Sequence, residues 1–309
     1  MTIIPAHAKA PKVAFVVGLG SMGMGMALSL KNAGLDVIGI DISTEAASRF
    51  AESGGRVASS VKDAAKEADI VVSVVVNAAQ TESVLFGASG IAEFMRPDSV
   101  FISSATMDPA AARKLAQQVE ARGVHYLDAP ISGGAVRAAN GQLTIMASGS
   151  EAAFNAARPA LDAMAAKVYE LGDSAGAGAA FKMINQLLAG VHIAAACEAI
   201  SLAAKLGLDL DKVYEVITAS AGNSWMFENR IPHVLAGDYA PLSAIDIFVK
   251  DLGIIQDMAR TERYPVPVSA AALQMYLAAS GAGMGRDDDA SLARLYAQLS
   301  GVALPEKTK

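Results

Sequence analysis

Three glycines near the start of the chain have the spacing of a phosphate-binding turn. Gly18, Gly20 and Gly23 follow an apolar, β-branched run and open a helical pattern, which is the context that a dinucleotide-binding turn requires. The first glycine would allow a tight turn, the second a close approach of the backbone to a pyrophosphate, and the third close packing of helix on strand. The amides at the helix N-terminus would add a partial positive charge. Glycine triplets also occur in plain turns, but here we predict dinucleotide binding by Gly18, Leu19, Gly20, Ser21, Met22 and Gly23.

Asp41 extends this predicted site because it ends the next predicted strand. An acidic side chain at that position accepts hydrogen bonds from the ribose hydroxyls and repels a 2′-phosphate. Ile42 and Ser43 follow it, so no arginine stands next in the chain to bind such a phosphate. The segment therefore predicts NAD rather than NADP as the cofactor.

The rest of the chain carries further short motifs whose order is more specific than any one of them. They are Ser-Ala-Thr-Met-Asp-Pro at 104–109, Ala-Pro-Ile-Ser-Gly-Gly at 129–134, Gly-Ala-Gly at 176–178 followed by Lys182 and Asn185, and Lys-Asp-Leu at 250–252. In this order they resemble the β-hydroxyacid dehydrogenases, a family that includes 3-hydroxyisobutyrate dehydrogenase and tartronate semialdehyde reductase. The resemblance covers nearly the whole chain, and it implies NAD-dependent oxidation of a small hydroxy acid.

Lys182 is the residue that the resemblance identifies as catalytic. Oxidation of an alcohol requires the hydroxyl proton to leave as hydride leaves carbon, and an amine with a lowered pKa is a suitable base. Asn185 lies one turn later on the same helical face, where its amide can orient the substrate hydroxyl. Without the surrounding motif, a lysine in an alanine-rich helix would be interpreted as a solvated charge. Gln186 replaces an asparagine that is common in the family, so the contact made at that position stays open.

The resemblance also implies binding roles for other motif residues. It assigns a cofactor contact to Thr106, for which a helix N-cap is the alternative, and another to Lys250, which could instead extend to solvent. Arg137 stands where many members have glycine, so it either reaches the substrate or lies on the surface. A hydroxyl followed by two glycines forms a loop whose amides can converge on an anion. The resemblance implies that the substrate carboxylate is bound there, by Ser132, Gly133 and Gly134.

The segment 223–230 predicts which acid is bound. It holds the only tryptophan, Trp225, among several hydrogen-bonding side chains. A site built to bind extra hydroxyls rejects analogues that lack them. Together with Asn185, Gln186 and residues 244–252, this segment is most similar to the branch of the family that oxidises the C2 hydroxyl of L-threonate to 2-oxo-tetronate with NAD. The alternative is that Trp225 anchors a core and its polar neighbours cap helices.

Two other functions stay open. One is a reductase or dehydrogenase for a three-carbon or branched acid, such as tartronate semialdehyde or 3-hydroxyisobutyrate. The other is a non-catalytic protein that binds the dinucleotide as a sensor or scaffold, although the presence of Lys182 and Asn185 favours catalysis.

These residues must be positioned by strands that end at one edge of a sheet. Short β-branched runs alternate with helical patterns up to Gly172, which predicts an α/β Rossmann-type N-terminal domain with a mainly parallel sheet. Alanine-rich helical patterns follow, which predicts an all-α C-terminal domain joined by a long interdomain helix over 179–206. We expect an NAD-binding domain at 1–173 and a substrate and oligomerisation domain at 174–309. The predicted strands are 13–17, 36–41, 70–76, 100–103, 125–127, 144–147 and 168–171.

Composition limits the other classes of function. The chain has 309 residues, 53% of them apolar and 18% charged, with a net charge of −6, so it is a globular protein without the basic surface that binds nucleic acid. An uncharged run at 13–30 is interrupted by glycines, which argues against a signal peptide or a membrane anchor. A single cysteine, Cys197, excludes an internal disulfide framework and favours the cytoplasm.

The remaining expectations concern metals and self-association. The histidines are scattered without metal-ligand spacing, so no metal is predicted. Alanine-rich helices with close-packing faces predict that the second domain makes subunit contacts, as the resemblance also implies. We therefore expect a homodimer or homotetramer.

Overall fold

The computed structural model describes residues 12–307. Its contacts divide the chain into two compact units, of which the first ends at Lys182 and the second begins at Met183. This division falls inside a long helix, α8 (Ala177–Lys205), whereas the boundary predicted at residue 173 placed the whole helix in the second domain. The first turns of α8 belong to the first unit because they are hydrogen-bonded to it.

A parallel sheet organises the first unit. Its six strands lie in the order β3-β2-β1-β4-β5-β6 and all run in the same direction. The order reverses at β1, and doubly wound folds bind ligands beyond the carboxyl ends of the strands at this point. The predicted Rossmann-type fold is confirmed. The strands are β1 (Val13–Val17), β2 (Asp36–Ile40), β3 (Arg56–Val57), β4 (Ile70–Ser73), β5 (Val100–Ser103) and β6 (His125–Asp128).

Helices cover this sheet, and its strands are buried on both faces. Along β1, Ala14 and Val16 pack into one apolar cluster, while Phe15 and Val17 pack into another, because successive side chains of a strand point to opposite faces. The helices of the first unit ahead of α8 are α1 (Ser21–Asn32), α2 (Thr44–Glu52), α3 (Val61–Glu67), α4 (Ala78–Phe86), α5 (Pro109–Glu120), α6 (Gly134–Ala139) and α7 (Glu151–Met164). A small second sheet contains β7 (Ile131–Ser132), β8 (Leu143–Ala147) and β9 (Ala165–Glu170).

In the part of the second unit that the structure describes, the regular elements are helices, apart from one isolated bridge between Ala244 and Asp288. The predicted all-α region is confirmed. Its apolar core includes Ile193, Cys197 and Ile200 from α8 together with Phe248 and Tyr276. Those two rings stack with their centroids 5.3 Å apart. Besides the larger part of α8, the unit contains α9 (Leu210–Thr218), α10 (Trp225–Leu235), α11 (Ile245–Thr261), α12 (Pro267–Ala279) and α13 (Leu292–Ser300).

Helix α8 is also the one helix in the described part of the chain that is long and apolar enough to cross a membrane. Half of the residues in its most apolar stretch are buried inside the protein. Length and composition alone make weak support for a membrane span, because the core helix of a soluble protein passes the same test.

Some elements differ from the sequence-based prediction. Helices α4, α6 and α10 were not predicted, and β4 ends at Ser73 rather than at residue 76. Helix α6 is short and begins beside two glycines with positive φ, a pattern that indicates a turn. Helix α10 has buried apolar residues at helical spacing, at Phe227, Ile231 and Val234, but it contains Pro232, and proline argues against a helix interior.

Candidate active site

The turn after β1 requires glycine at two positions, at Gly18 for its backbone angle and for space, and at Gly23 for space alone. Gly18 has a φ of +97°, and a Cβ there would lie 2.5 Å from the carbonyl oxygen of Val74. A Cβ on Gly23 would lie 1.9 Å from the carbonyl oxygen of Gly18, so α1 packs directly on the turn. A Cβ on Gly20, by contrast, would meet no atom within 4 Å. The turn is therefore closed on its protein side and open at its middle glycine.

The N-terminus of α1 lacks the protein cap that neighbouring helices have. No side chain accepts a hydrogen bond from its first turn, and that turn contains no acidic residue. Its N–H groups and the positive end of its dipole thus fit an anionic group, as the pyrophosphate of a dinucleotide requires. Other helices of the first unit are capped by a side chain, from Ser43 on α2, Ser60 on α3, Asn77 on α4, Asp108 on α5 and Ser150 on α7.

Asp41 lies against this turn. Its Oδ2 accepts a hydrogen bond from the backbone N–H of Leu19 at 2.6 Å, and its Oδ1 accepts one from the N–H of Ser43 at 2.7 Å. A carboxylate has further acceptor sites beyond these two. Ile42 beside it is fully exposed. The structure therefore brings the predicted ribose acceptor and the glycine turn into direct contact.

Thr106 follows β5 at the same edge of the sheet and is half-buried. It is not the N-cap of the next helix, because Asp108 fills that position and accepts from the N–H of Ala110 at 2.6 Å. The capping alternative for Thr106 is therefore wrong, and the cofactor contact stays a prediction.

The Ser-Gly-Gly loop lies at the start of α6. Ser132 ends β7, while Gly133 and Gly134 have φ values of +137° and +78°. The N-terminus of α6 also has no side-chain cap. Arg137 is exposed, and the stem of its side chain packs over Gly133, since a Cβ on that glycine would lie 2.9 Å from Arg137 Cδ.

A buried carboxylate that the sequence analysis did not single out holds the start of α8. Asp128, at the end of β6, accepts through Oδ2 from the N–H groups of Gly176 and Ala179, each at 2.9 Å. Ser148 Oγ accepts from the N–H of Gly178 at 2.9 Å. Burial raises the pKa of Asp128, and the two backbone amides offset this only in part.

Lys182 follows this anchored turn on α8. Its side chain is buried, with 6% of the residue exposed, so the interpretation of a solvated surface charge is wrong. Asp128 holds the backbone of the turn before Lys182, so it also determines the position of the Lys182 backbone on α8.

In the second unit, polar side chains join α8 to α11. Asn185 donates through Nδ2 to Gln186 Oε1 at 2.9 Å, and Gln186 donates through Nε2 to Asp251 Oδ2 at 2.5 Å. Lys250 Nζ lies 2.8 Å from Asp251 Oδ1. The structure therefore connects Asn185 with Lys250 through two residues to which no role had been assigned. Asp251 belongs to the Lys-Asp-Leu motif, which was the available signal for it.

The polar segment 223–230 is used mainly for contacts within the second unit. Asn223 donates to Glu228 Oε1 at 2.6 Å, and Arg230 pairs with the fully buried Asp289 at 2.5 Å. Trp225 is half-exposed, at 51%, so it is not a core anchor. The substrate contact assigned to Trp225 stays a prediction.

Among residues 12–307, no group of three or more His, Cys, Asp or Glu side chains could hold a metal ion.

Comparison with known proteins agrees with this architecture. Residues 12–172 match the family described as the NAD binding domain of 6-phosphogluconate dehydrogenase, and residues 176–296 match the one described as NAD-binding of NADP-dependent 3-hydroxyisobutyrate dehydrogenase. An L-threonate dehydrogenase from Cupriavidus necator is 51% identical over 95% of this chain and 98% of its own length. One from Escherichia coli K12 is 48% identical over 94% of this chain and 95% of its own length.

A solved structure shows the same fold. The crystal structure of a 3-hydroxyisobutyrate dehydrogenase from Salmonella typhimurium is 49% identical and superposes with a TM-score of 0.88, covering 92% of this chain and 99% of that one. The predicted family, the oxidoreductase class and the nicotinamide dinucleotide cofactor are thereby confirmed. The chain belongs to the β-hydroxyacid dehydrogenases, enzymes that oxidise small hydroxy acids with a nicotinamide dinucleotide.

Proposed function

We propose that this enzyme oxidises the C2 hydroxyl of L-threonate to 2-oxo-tetronate with NAD, using Lys182 as general base. The observation that carries the proposal is the near-full-length similarity to L-threonate dehydrogenases at about half identity. The exposed Trp225 and the half-buried Asn185 support it, because a polyhydroxylated acid needs polar and stacking partners beyond the reacting carbon.

Most residues of the proposed cofactor site belong to the first unit, and Lys250 belongs to the second. The amides of the turn, in the segment from Gly18 to Gly23, would bind the pyrophosphate, and Asp41 would accept from the ribose hydroxyls. Thr106 and Lys250 would make further contacts to the cofactor. We propose NAD over NADP because the Asp41 carboxylate is held beside the turn, where it would repel a 2′-phosphate. When bound, the cofactor supplies the acceptor for the hydride.

The chain's own residues handle the acid and the proton. Ser132, Gly133 and Gly134 would bind the substrate carboxylate through hydroxyl and backbone donors. Lys182, whose side chain is buried, would take the hydroxyl proton on Nζ. Asn185 would orient the hydroxyl from the same face of α8.

A substrate panel tests this proposal. The purified enzyme is given NAD or NADP with L-threonate, D-threonate, D-glycerate, 3-hydroxyisobutyrate or tartronate, and nicotinamide reduction is followed by absorbance. We expect L-threonate with NAD to give the highest kcat/KM. A preference for 3-hydroxyisobutyrate would refute the substrate and favour the second candidate, which the Salmonella enzyme's similarity supports.

Two variants separate catalysis from binding. Lys182→Ala should lose activity by several orders of magnitude while still binding NAD, because only the proton acceptor is removed. Unchanged turnover would end the catalytic assignment, and absence of turnover in the unaltered enzyme would favour the dinucleotide sensor.

The double variant Asp41→Ser/Ile42→Arg should shift the cofactor preference from NAD towards NADP. Ile42→Arg alone, in which the carboxylate remains, is the matched control.

We further propose a cytoplasmic homodimer or homotetramer. Three exposed apolar side chains lie along one stripe of α8, at Ile184, Leu188 and Leu202, and burial of such a stripe by a second copy would stabilise an oligomer. Light scattering should detect the oligomer at micromolar concentration, and Leu202→Glu should weaken it. A stable monomer would refute this proposal.

The buried thiol of Cys197 and the core packing of α8 are compatible with a reducing, aqueous compartment, as the proposed cytoplasmic location requires.

A further inference from the structure

Four polar side chains of the second unit form a series of contacts in which each donor and acceptor can be assigned. Asp251 is 1% exposed and Gln186 is 8% exposed. The hydrogen bond between these two side chains, from α8 to α11, is therefore buried. Buried hydrogen bonds of this kind meet no competing water and keep one geometry. The series runs from Lys250 through Asp251 and Gln186 to the half-buried Asn185.

Chemistry determines which atom of each amide faces its neighbour. The carboxylate of Asp251 is held beside the Lys250 ammonium and can only accept, so Gln186 must present Nε2 to it. The Oε1 of Gln186 then faces Asn185, which must present Nδ2. A reversed Gln186 amide would place a carbonyl oxygen against a carboxylate. Asn185 is thereby left with Oδ1, an acceptor, turned away from Gln186.

We propose that Gln186 is a specificity-determining positioning residue, which passes the orientation imposed by Asp251 on to Asn185. Asn185 then offers Oδ1 as a fixed acceptor to a substrate hydroxyl next to the reacting carbon. This inference rests on the proposed function, in which Asn185 meets the substrate. L-threonate has such a second hydroxyl, whereas 3-hydroxyisobutyrate has none, so the selectivity between these two acids depends on Gln186.

The test compares kcat/KM for L-threonate with kcat/KM for 3-hydroxyisobutyrate in each protein. In Gln186→Met, which keeps the length of the side chain and removes its hydrogen bonds, we expect this ratio to fall about tenfold. Gln274→Met, an exposed substitution on α12, is the matched control and should leave the ratio unchanged. Calorimetric titration of NAD into each protein checks that the fold and the cofactor site are intact.

A second variant supplies a readout that a merely structural role would not move. In Gln186→Glu, the protonated carboxyl can still donate to Asp251 and accept from Asn185, whereas the ionised one repels Asp251. The ratio should therefore be near that of the unaltered enzyme at low pH and should fall as pH rises, in this variant alone. A ratio that stays within twofold in Gln186→Met, or one that does not fall with pH in Gln186→Glu, overturns the inference.

Failure of the proposed function would be seen in the unaltered enzyme and not in the variants. If the unaltered enzyme prefers 3-hydroxyisobutyrate, the proposed substrate is refuted. The inference about Gln186 is still overturned by either of the two results above, because they compare the ratio between proteins and do not depend on which acid the unaltered enzyme prefers.

Discussion

Removal of the Asp128 carboxylate should destabilise the first unit and disturb the start of α8. The side chain accepts from two buried backbone N–H groups, those of Gly176 and Ala179. In Asp128→Ala both donors lose their partner inside the protein. Each unsatisfied donor costs about 1–2 kcal/mol, so we expect a loss of about 2–4 kcal/mol in the free energy of unfolding.

Asp128→Asn should cost less, because its amide oxygen can still accept from both donors. The pH dependence follows from the pKa of Asp128, which burial raises above its ordinary value of 3.8. A group with a raised folded-state pKa contributes stability that is complete below the unfolded value and is lost as pH rises through the folded value. The Asn variant does not ionise, so its stability relative to the unaltered protein should improve as pH rises above 3.8.

Urea unfolding followed by circular dichroism at pH 5 and pH 8 measures both effects. Asp173→Ala, an exposed substitution close to the start of α8, is the control and should change stability little. A cost below about 0.5 kcal/mol for Asp128→Ala would refute the anchoring role. An Asn variant as unstable as the Ala variant would refute the argument that the acceptor oxygen matters.

Three further changes test other parts of the structure. Gly23→Ala would place a Cβ 1.9 Å from a backbone carbonyl, so it should destabilise the turn by about 1–3 kcal/mol and weaken NAD binding in calorimetric titration; unchanged affinity would contradict this packing. Arg230→Met leaves the carboxylate of Asp289 buried without its partner and should cost about 3–5 kcal/mol in urea unfolding, whereas a neutral result would show that the pair is dispensable. The hydrogen bond to Asp288 raises the pKa of His233 above 6.5, so the stability lost in His233→Ala should be largest below pH 6.5 and should decline as pH rises through the raised value; equal losses at pH 6 and pH 9 would contradict it.

Features that depend on neighbouring residues could be predicted from the sequence. The glycine turn is one, since its backbone angles and its place between a strand and a helix are local properties. Asp41 is another, because a strand end determines its position. The alternation of β-branched and helical runs was sufficient for the Rossmann-type fold, and the shift to alanine-rich helices for the all-α second unit.

The partners of buried polar groups were decided only by the tertiary structure. Asp128 binds the start of α8, and Gln186 binds Asp251, across long separations in the chain. Arg230 forms an ion pair with the buried Asp289, although its polar segment had been predicted to bind the substrate. Local propensity contains no information about such pairs, because a buried donor takes whichever acceptor the packing of distant elements brings to it.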